Sequence, residues 1–163
     1  MSPRSHNPSV TPVPTTALTT AQIQALLRDK GLRPTPQRHA VYANLLGRYD
    51  HPTVEQILHD ISEVFPMSSR ATVYNTLTAL REQGLVREVL LQEGVTRYDA
   101  NTSAHHHFVC NQCGSIHDLP WQAFPQMPNP NALDLTAIAP DLQPETYEVI
   151  VRGSRCPNCV TDA

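Results

Sequence analysis

The chain has 163 residues and a mass of 18.1 kDa, with 40% hydrophobic and 17% charged residues, enough for one medium domain or two small ones and too apolar for wholesale disorder. No apolar run reaches bilayer-spanning length and the N-terminus lacks the continuous apolar stretch of an export signal, so a cytoplasmic protein away from membranes is expected. The net charge of -3 hides a split: residues 1–84 carry 8 Lys/Arg and 6 Asp/Glu, residues 85–163 carry 4 and 9. A basic half joined to an acidic half suits a nucleic-acid reader coupled to a cation-binding module.

Residues 1–18 are rich in Pro, Ser and Thr without an apolar period and read as a disordered tail. From Thr19, "TTAQIQALLRDKGLRPTPQRHAVYANLLGR" predicts two helices, the first closed by Gly31 and the second opened by Thr35-Pro36. "HPTVEQILHDISEVFP" predicts a third, capped by Thr53 and stopped by Pro66, with Val54, Ile57, Leu58, Ile61 and Val64 on one face. "SSRATVYNTLTALREQG" predicts a fourth from Ser69 to Gly84, its core stripe being Val73, Leu77 and Leu80. "LVREVLLQEGVTRYDA" reads as two strands about Glu93-Gly94. Helices, a capped helix and then a hairpin are the order of a winged helix-turn-helix. Arg70, Thr72, Tyr74, Asn75, Thr78 and Arg81 are the candidate DNA contacts, because Arg, Asn and Thr address base edges and Tyr a methyl or phosphate. The alternative is an ordinary solvated helix face.

The polar stretch 101–104 marks a hinge between a domain at 19–100 and a second at 105–163. There a strand at about 105–110, a cysteine turn and a strand through "SIHDL" are expected, followed by a proline-rich region where only "NALDLTAIA" is a candidate short helix. "TYEVIVRG" is a further predicted strand. The fold class is α+β: a winged helix-turn-helix followed by a small α/β domain.

Four cysteines form two C-x-x-C pairs, Cys110/Cys113 and Cys156/Cys159, separated by 42 residues. Each pair delivers two thiolates from one tight turn, so together they suit one tetrahedral structural Zn(II); a redox pair or plain buried thiols are the alternatives. In "HHHFVC" the alternation of a strand puts His105 and His107 on one face and His106 on the other. At most two of the three serve one ion. Asp99 at the end of the hairpin and Asp118 on the following strand are candidate partners, and oxygen ligands shift preference toward Mn(II) or Fe(II). His117 should face away from that set. His51 is either a loop histidine or a distant ligand.

"LRPTPQRHAVYANLL", "HPTVEQIL", "SRATVYNTLTALREQGLV", "RYDANTSAHHHFVCNQCGSIHDL" and "CPNC" together resemble the ferric uptake regulator superfamily, in order, from about residue 20 to 160. The resemblance implies a homodimeric, metal-dependent transcription regulator, not an enzyme, binding palindromic, AT-rich double-stranded DNA. It implies structural zinc on Cys110, Cys113, Cys156 and Cys159, and a regulatory metal on His51, Asp99, His105, His107 and Asp118. Iron-sensing members carry Glu where this chain has Asp99 and Asp118, whereas peroxide-responsive members carry Asp. The chain is therefore similar to the peroxide- or manganese-responsive branch, with Mn(II) or Fe(II) as effector. A zinc-responsive regulator or a zinc-storage module is the alternative. A third site found in many members falls here on Ala104, His106 and Tyr147, a poor ligand set, and is expected to be absent.

Overall fold

The structure is a computed structural model describing residues 18–46, 48–92, 94–124, 141 and 147–159. The predicted tail at 1–17 and the candidate helix "NALDLTAIA" lie outside the described residues. Four helices come first: α1 (Thr20–Asp29), α2 (Pro36–Leu46), α3 (Val54–Ser62) and α4 (Arg70–Glu82). Their starts follow from side-chain chemistry. Thr19 and Thr53 each form a capping box with the Gln three residues on, and Ser69 Oγ accepts from the Thr72 amide at 3.1 Å. Gly31 and Gly84 take φ of +72° and +68° just past α1 and α4, where a side chain would be strained.

The apolar stripes of the four helices converge on one core. Leu27, Ile57, Val73, Leu77 and Leu80 are fully buried there, with Val41, Leu45 and Tyr98 closing it. Val64 departs from its predicted place. The helix ends at Ser62, and Val64 donates to Ile61 in a tight i→i−3 bond at 3.1 Å. Pro66 disfavours helical geometry at Phe65, so the last turn tightens and Val64 rotates out to 73% exposure.

β1 (Arg87–Gln92) and β2 (Val95–Asp99) form the antiparallel hairpin after α4, with Arg87 opposite Asp99. The second sheet has the order β4-β3-β5, from β3 (His105–Cys110), β4 (Ile116–Pro120) and β5 (Ile150–Gly153). β3 pairs antiparallel with β4 and parallel with β5, so Cys110 sits opposite Gly153. Val89 of the hairpin packs with Val109 and Ile116 of this sheet in a small second core.

The predicted strand "TYEVIVRG" is shortened to Ile150–Gly153. The Val149 carbonyl still accepts from the His107 amide at 3.1 Å, but a side chain takes its amide, which donates to His106 Nδ1 at 3.2 Å and not to the β3 backbone. Among the described residues, no helix is long and apolar enough to cross a membrane.

Candidate metal centres

Parallel pairing of β3 and β5 brings the two C-x-x-C turns to the same end of the sheet. Cys110 closes β3, the chain turns at Gly114 with φ +71°, and Cys156 and Cys159 follow β5 in a short 3-10 turn. The Cys110–Cys159 and Cys156–Cys159 sulfurs lie 3.6 Å apart and Cys113–Cys156 3.5 Å. None of these is a disulfide. Four sulfurs on a tetrahedral zinc would lie about 3.8 Å apart, given Zn–S bonds of ~2.3 Å, so the set fits that ion. The Ser115 hydroxyl lies 3.1 Å from Cys113 Sγ and 3.2 Å from Cys156 Sγ. It holds the Cys113 thiol down at about 6 and lowers that of Cys156, while crowding by Cys113 and the other thiols pushes Cys159 up to about 12. Four thiolates do not coexist there without a cation.

The second cluster gathers His51, Asp99, His105, His107 and Asp118. One ligand atom from each lies within 4.8 Å of all the others, close to the ~4.4 Å between opposed ligands on a cation with bonds of ~2.2 Å. His105 and His107 share a face of β3 as expected, with ring centroids 4.7 Å apart. Asp118 reaches them because it pairs with His107 across the β3–β4 ladder. Asp99 closes the hairpin just ahead of residues 101–104.

His51 arrives from the far end of the fold. It holds an unusual φ of +51° before Pro52, and its loop is tied to β2: the Tyr98 amide donates to the Pro52 carbonyl and Arg97 Nη1 to the His51 carbonyl, both at 3.0 Å. These bonds carry the imidazole to the end of β2. His51 Nε2 stands 2.9 Å from Asp118 Oδ1, yet both buried atoms are without a hydrogen-bond partner. Two orphaned donor atoms aimed at one small volume are what a metal ligand set requires.

Burial opposes the charge of His105, but Asp118 and Asp99 overcome it and raise its pKa to about 9. Burial pushes His107 down. The Asp118 and Asp99 carboxyls are also penalised by burial, yet their contacts with His105 and the charge of His51 hold both below the usual carboxylate range.

Three residues join this cluster that sequence reasoning did not single out. Glu148 accepts from His107 Nδ1, which leaves Nε2 facing the cluster. The Asn101 amide donates to Asp99 Oδ1 at 2.7 Å and its side chain to Asp118 Oδ2 at 3.2 Å. Arg87 donates from Nε to Asp99 Oδ2 at 3.1 Å. Only Arg87 left a signal, since counting back from the Glu93-Gly94 turn places it near Asp99.

His106 faces away, as alternation requires, but not into solvent. It is fully buried and stacked on Trp121 at 4.7 Å, with Tyr147 at 6.0 Å and Phe124 edge-on at 5.1 Å. Aromatic rings thus surround the position where a third metal site would be sought. His117 turns toward Ser115 Oγ at 3.0 Å, away from the His/Asp cluster.

On α4, Arg70, Tyr74, Asn75 and Arg81 are exposed and Thr72 and Thr78 half-buried. Arg70 pairs with Glu55 and Arg81 with Glu88, each at 2.8 Å. Exposed pairs of this kind are worth ~0–1 kcal/mol and are readily exchanged.

A family model described as the ferric uptake regulator family matches residues 29–129. The chain belongs to that family. Its members are transcription regulators, not enzymes. The peroxide-responsive repressor PerR of Staphylococcus aureus (strain Mu50) is 40% identical over 103 residues, 63% of this chain and 68% of that protein. The Campylobacter jejuni peroxide stress regulator superposes with a TM-score of 0.58 at 28% identity, covering 85% of this chain and 97% of that one. The Helicobacter pylori ferric uptake regulator Fur superposes with a TM-score of 0.64 at 20% identity, covering 88% and 95%. The family match ends before β5 and so does not cover the second cysteine pair, which the pairing of β3 with β5 brings beside the first.

Proposed function

We propose that this ferric uptake regulator family member is a homodimeric, metal-activated repressor in the cytoplasm, whose effector is Mn(II) or Fe(II) bound by His51, Asp99, His105, His107 and Asp118. One observation carries the reading. Ligand atoms from the loop before α3, the end of β2, β3 and β4 converge on one volume where helices, hairpin and second sheet meet, and His51 Nε2 and Asp118 Oδ1 are buried there without a hydrogen-bond partner.

In this reading residues 19–100 are the DNA-binding domain, 101–104 the hinge and 105–163 the dimerisation domain. A metal at the cluster supplies two positive charges that draw these donors together. His51, held by Arg97 and Tyr98, transmits that constraint to the loop leading into α3. Asn101 couples the hinge to both carboxylates. Fixing the hinge in each protomer sets the spacing of the two α4 helices, which must match two half-sites of a palindromic, AT-rich operator. Arg70, Thr72, Tyr74, Asn75, Thr78 and Arg81 face that DNA. Cys110, Cys113, Cys156 and Cys159 hold a structural zinc that keeps the β3 histidines in register.

Similarity to peroxide-responsive repressors, together with Asp at both carboxylate positions, favours peroxide sensing with Fe(II) as effector. On that reading, mass spectrometry after Fe(II) and peroxide should find added oxygen on His51 or His105.

The deciding experiment is a gel shift on palindromic DNA with and without Mn(II), for wild type and His51→Ala. Wild type should bind only with metal, and His51→Ala not at all, while both retain the dimer and the zinc. DNA binding by His51→Ala at wild-type affinity, or loss of its dimer, would overturn the proposal.

A further inference from the structure

We infer that Arg87 is a built-in cation of the regulatory cluster, and that a divalent metal must expel its guanidinium to reach His107 and Asp99. The inference rests on reading the cluster as a metal site.

The argument begins with lone pairs. Glu148 accepts a hydrogen bond from His107 Nδ1–H, so Nε2 is the one nitrogen His107 can offer a metal. Arg87 Nη2 lies 3.3 Å from that Nε2 and also touches His105 Nε2. A guanidinium has five donors and no acceptor, so it faces the His107 lone pair as a donor, beside His105 Nε2 at 3.1 Å from the same atom. Asp99 Oδ2 accepts from Arg87 Nε at 3.1 Å. Arginine and metal therefore meet at the same ligand atoms.

Charge explains why the residue belongs there. Asp99 is buried and Asp118 largely so. Removing partners from buried carboxylates is strongly destabilising, so the metal-free protein needs positively charged donors against them. The guanidinium supplies one from its own strand, because Arg87 is the cross-strand partner of Asp99 in the hairpin. Once a divalent cation arrives, the same charge becomes repulsive at close range. The Arg87 side chain is 30% exposed and has a path to solvent. Metal binding is thus an exchange of cations, and the affinity of the cluster is set below what its five ligands alone would give.

The test is a titration of zinc-loaded, full-length protein with Mn(II), following the electron paramagnetic resonance signal of the free ion. Arg87→Gln removes the charge; Arg87→Lys keeps it but cannot span His107 and Asp99 together. Arg87→Gln should bind Mn(II) about tenfold more tightly than wild type, the scale of a lost charge-assisted hydrogen bond, and Arg87→Lys should fall between them. Melting should show the same sign. Without Mn(II), Arg87→Gln melts below wild type, and Mn(II) restores more of its Tm than it adds to wild type. A supporting scaffold residue would behave oppositely, losing affinity on substitution. Equal or weaker Mn(II) binding by both variants overturns the inference, and Arg87→Lys decides alone if Arg87→Gln does not fold. Asp118→Ala separates the levels: if it binds Mn(II) like wild type, the metal-site reading itself falls.

Discussion

Raising the pH should strengthen metal loading of the His/Asp cluster well past the range where an ordinary imidazole has finished titrating. His105 is the reason. Burial disfavours its charge, but Asp118 and Asp99 hold its pKa at about 9. A metal binds only the neutral ring, so loading at neutral pH must displace that proton. With a pKa near 9, the neutral fraction rises about 75-fold between pH 6.5 and 8.5, and apparent affinity follows at roughly 1.4 kcal/mol per pH unit. An imidazole at its ordinary value of ~6.5 would gain only about twofold over the same span. Mn(II) titrations at pH 6.5, 7.5 and 8.5, on protein retaining its zinc, distinguish the two. A plateau above pH 7 would refute the assignment of the raised pKa to His105. Stability of the metal-free protein runs the other way. Because the folded pKa is raised, the bound proton stabilises fully below about 6.5 and is lost as pH climbs through about 9. The metal-free Tm should therefore fall across that window, while saturating metal removes the fall.

Glu148→Gln replaces the charged acceptor on His107 Nδ1 and should weaken Mn(II) binding by about 10-fold without changing zinc content, as measured by metal titration and elemental analysis. Cys156→Ser removes one of four thiolates, so zinc should be lost and β5 released from β3; elemental analysis and proteolysis after Phe108 check this. Thr53→Ala breaks the capping box of α3 and should cost about 1 kcal/mol in urea unfolding. Since Thr53 lies two residues beyond His51, the same substitution should also weaken metal binding measurably.

The helices were legible because their signals are local. Thr19, Thr35, Thr53 and Ser69 announce starts through side-chain oxygens, and Val73, Leu77 and Leu80 show the spacing of a buried face. Val64 misled because periodicity says nothing of where Pro66 begins to unwind the turn. The shortened β5 was hidden for a different reason: His106 takes the Val149 amide, and no strand pattern reveals which amides a side chain will capture. Alternation placed His106 opposite His105 and His107 but did not reveal that Trp121, Phe124 and Tyr147 would bury it.

The sequence by itself determined the inventory of both centres: two C-x-x-C turns, a His-x-His strand and two aspartates at its flanks. It also determined the order of helices and hairpin, since caps, turns and periodic faces act over a few residues. Tertiary structure decided what meets what. Parallel pairing of β3 with β5 joined cysteines 42 residues apart. The bonds from Arg97 and Tyr98 carried His51 to the end of β2, and cross-strand register set Arg87 against Asp99. Register and long-range pairing are properties of the assembled chain, and the charges that answer a buried carboxylate are known only when the fold places them.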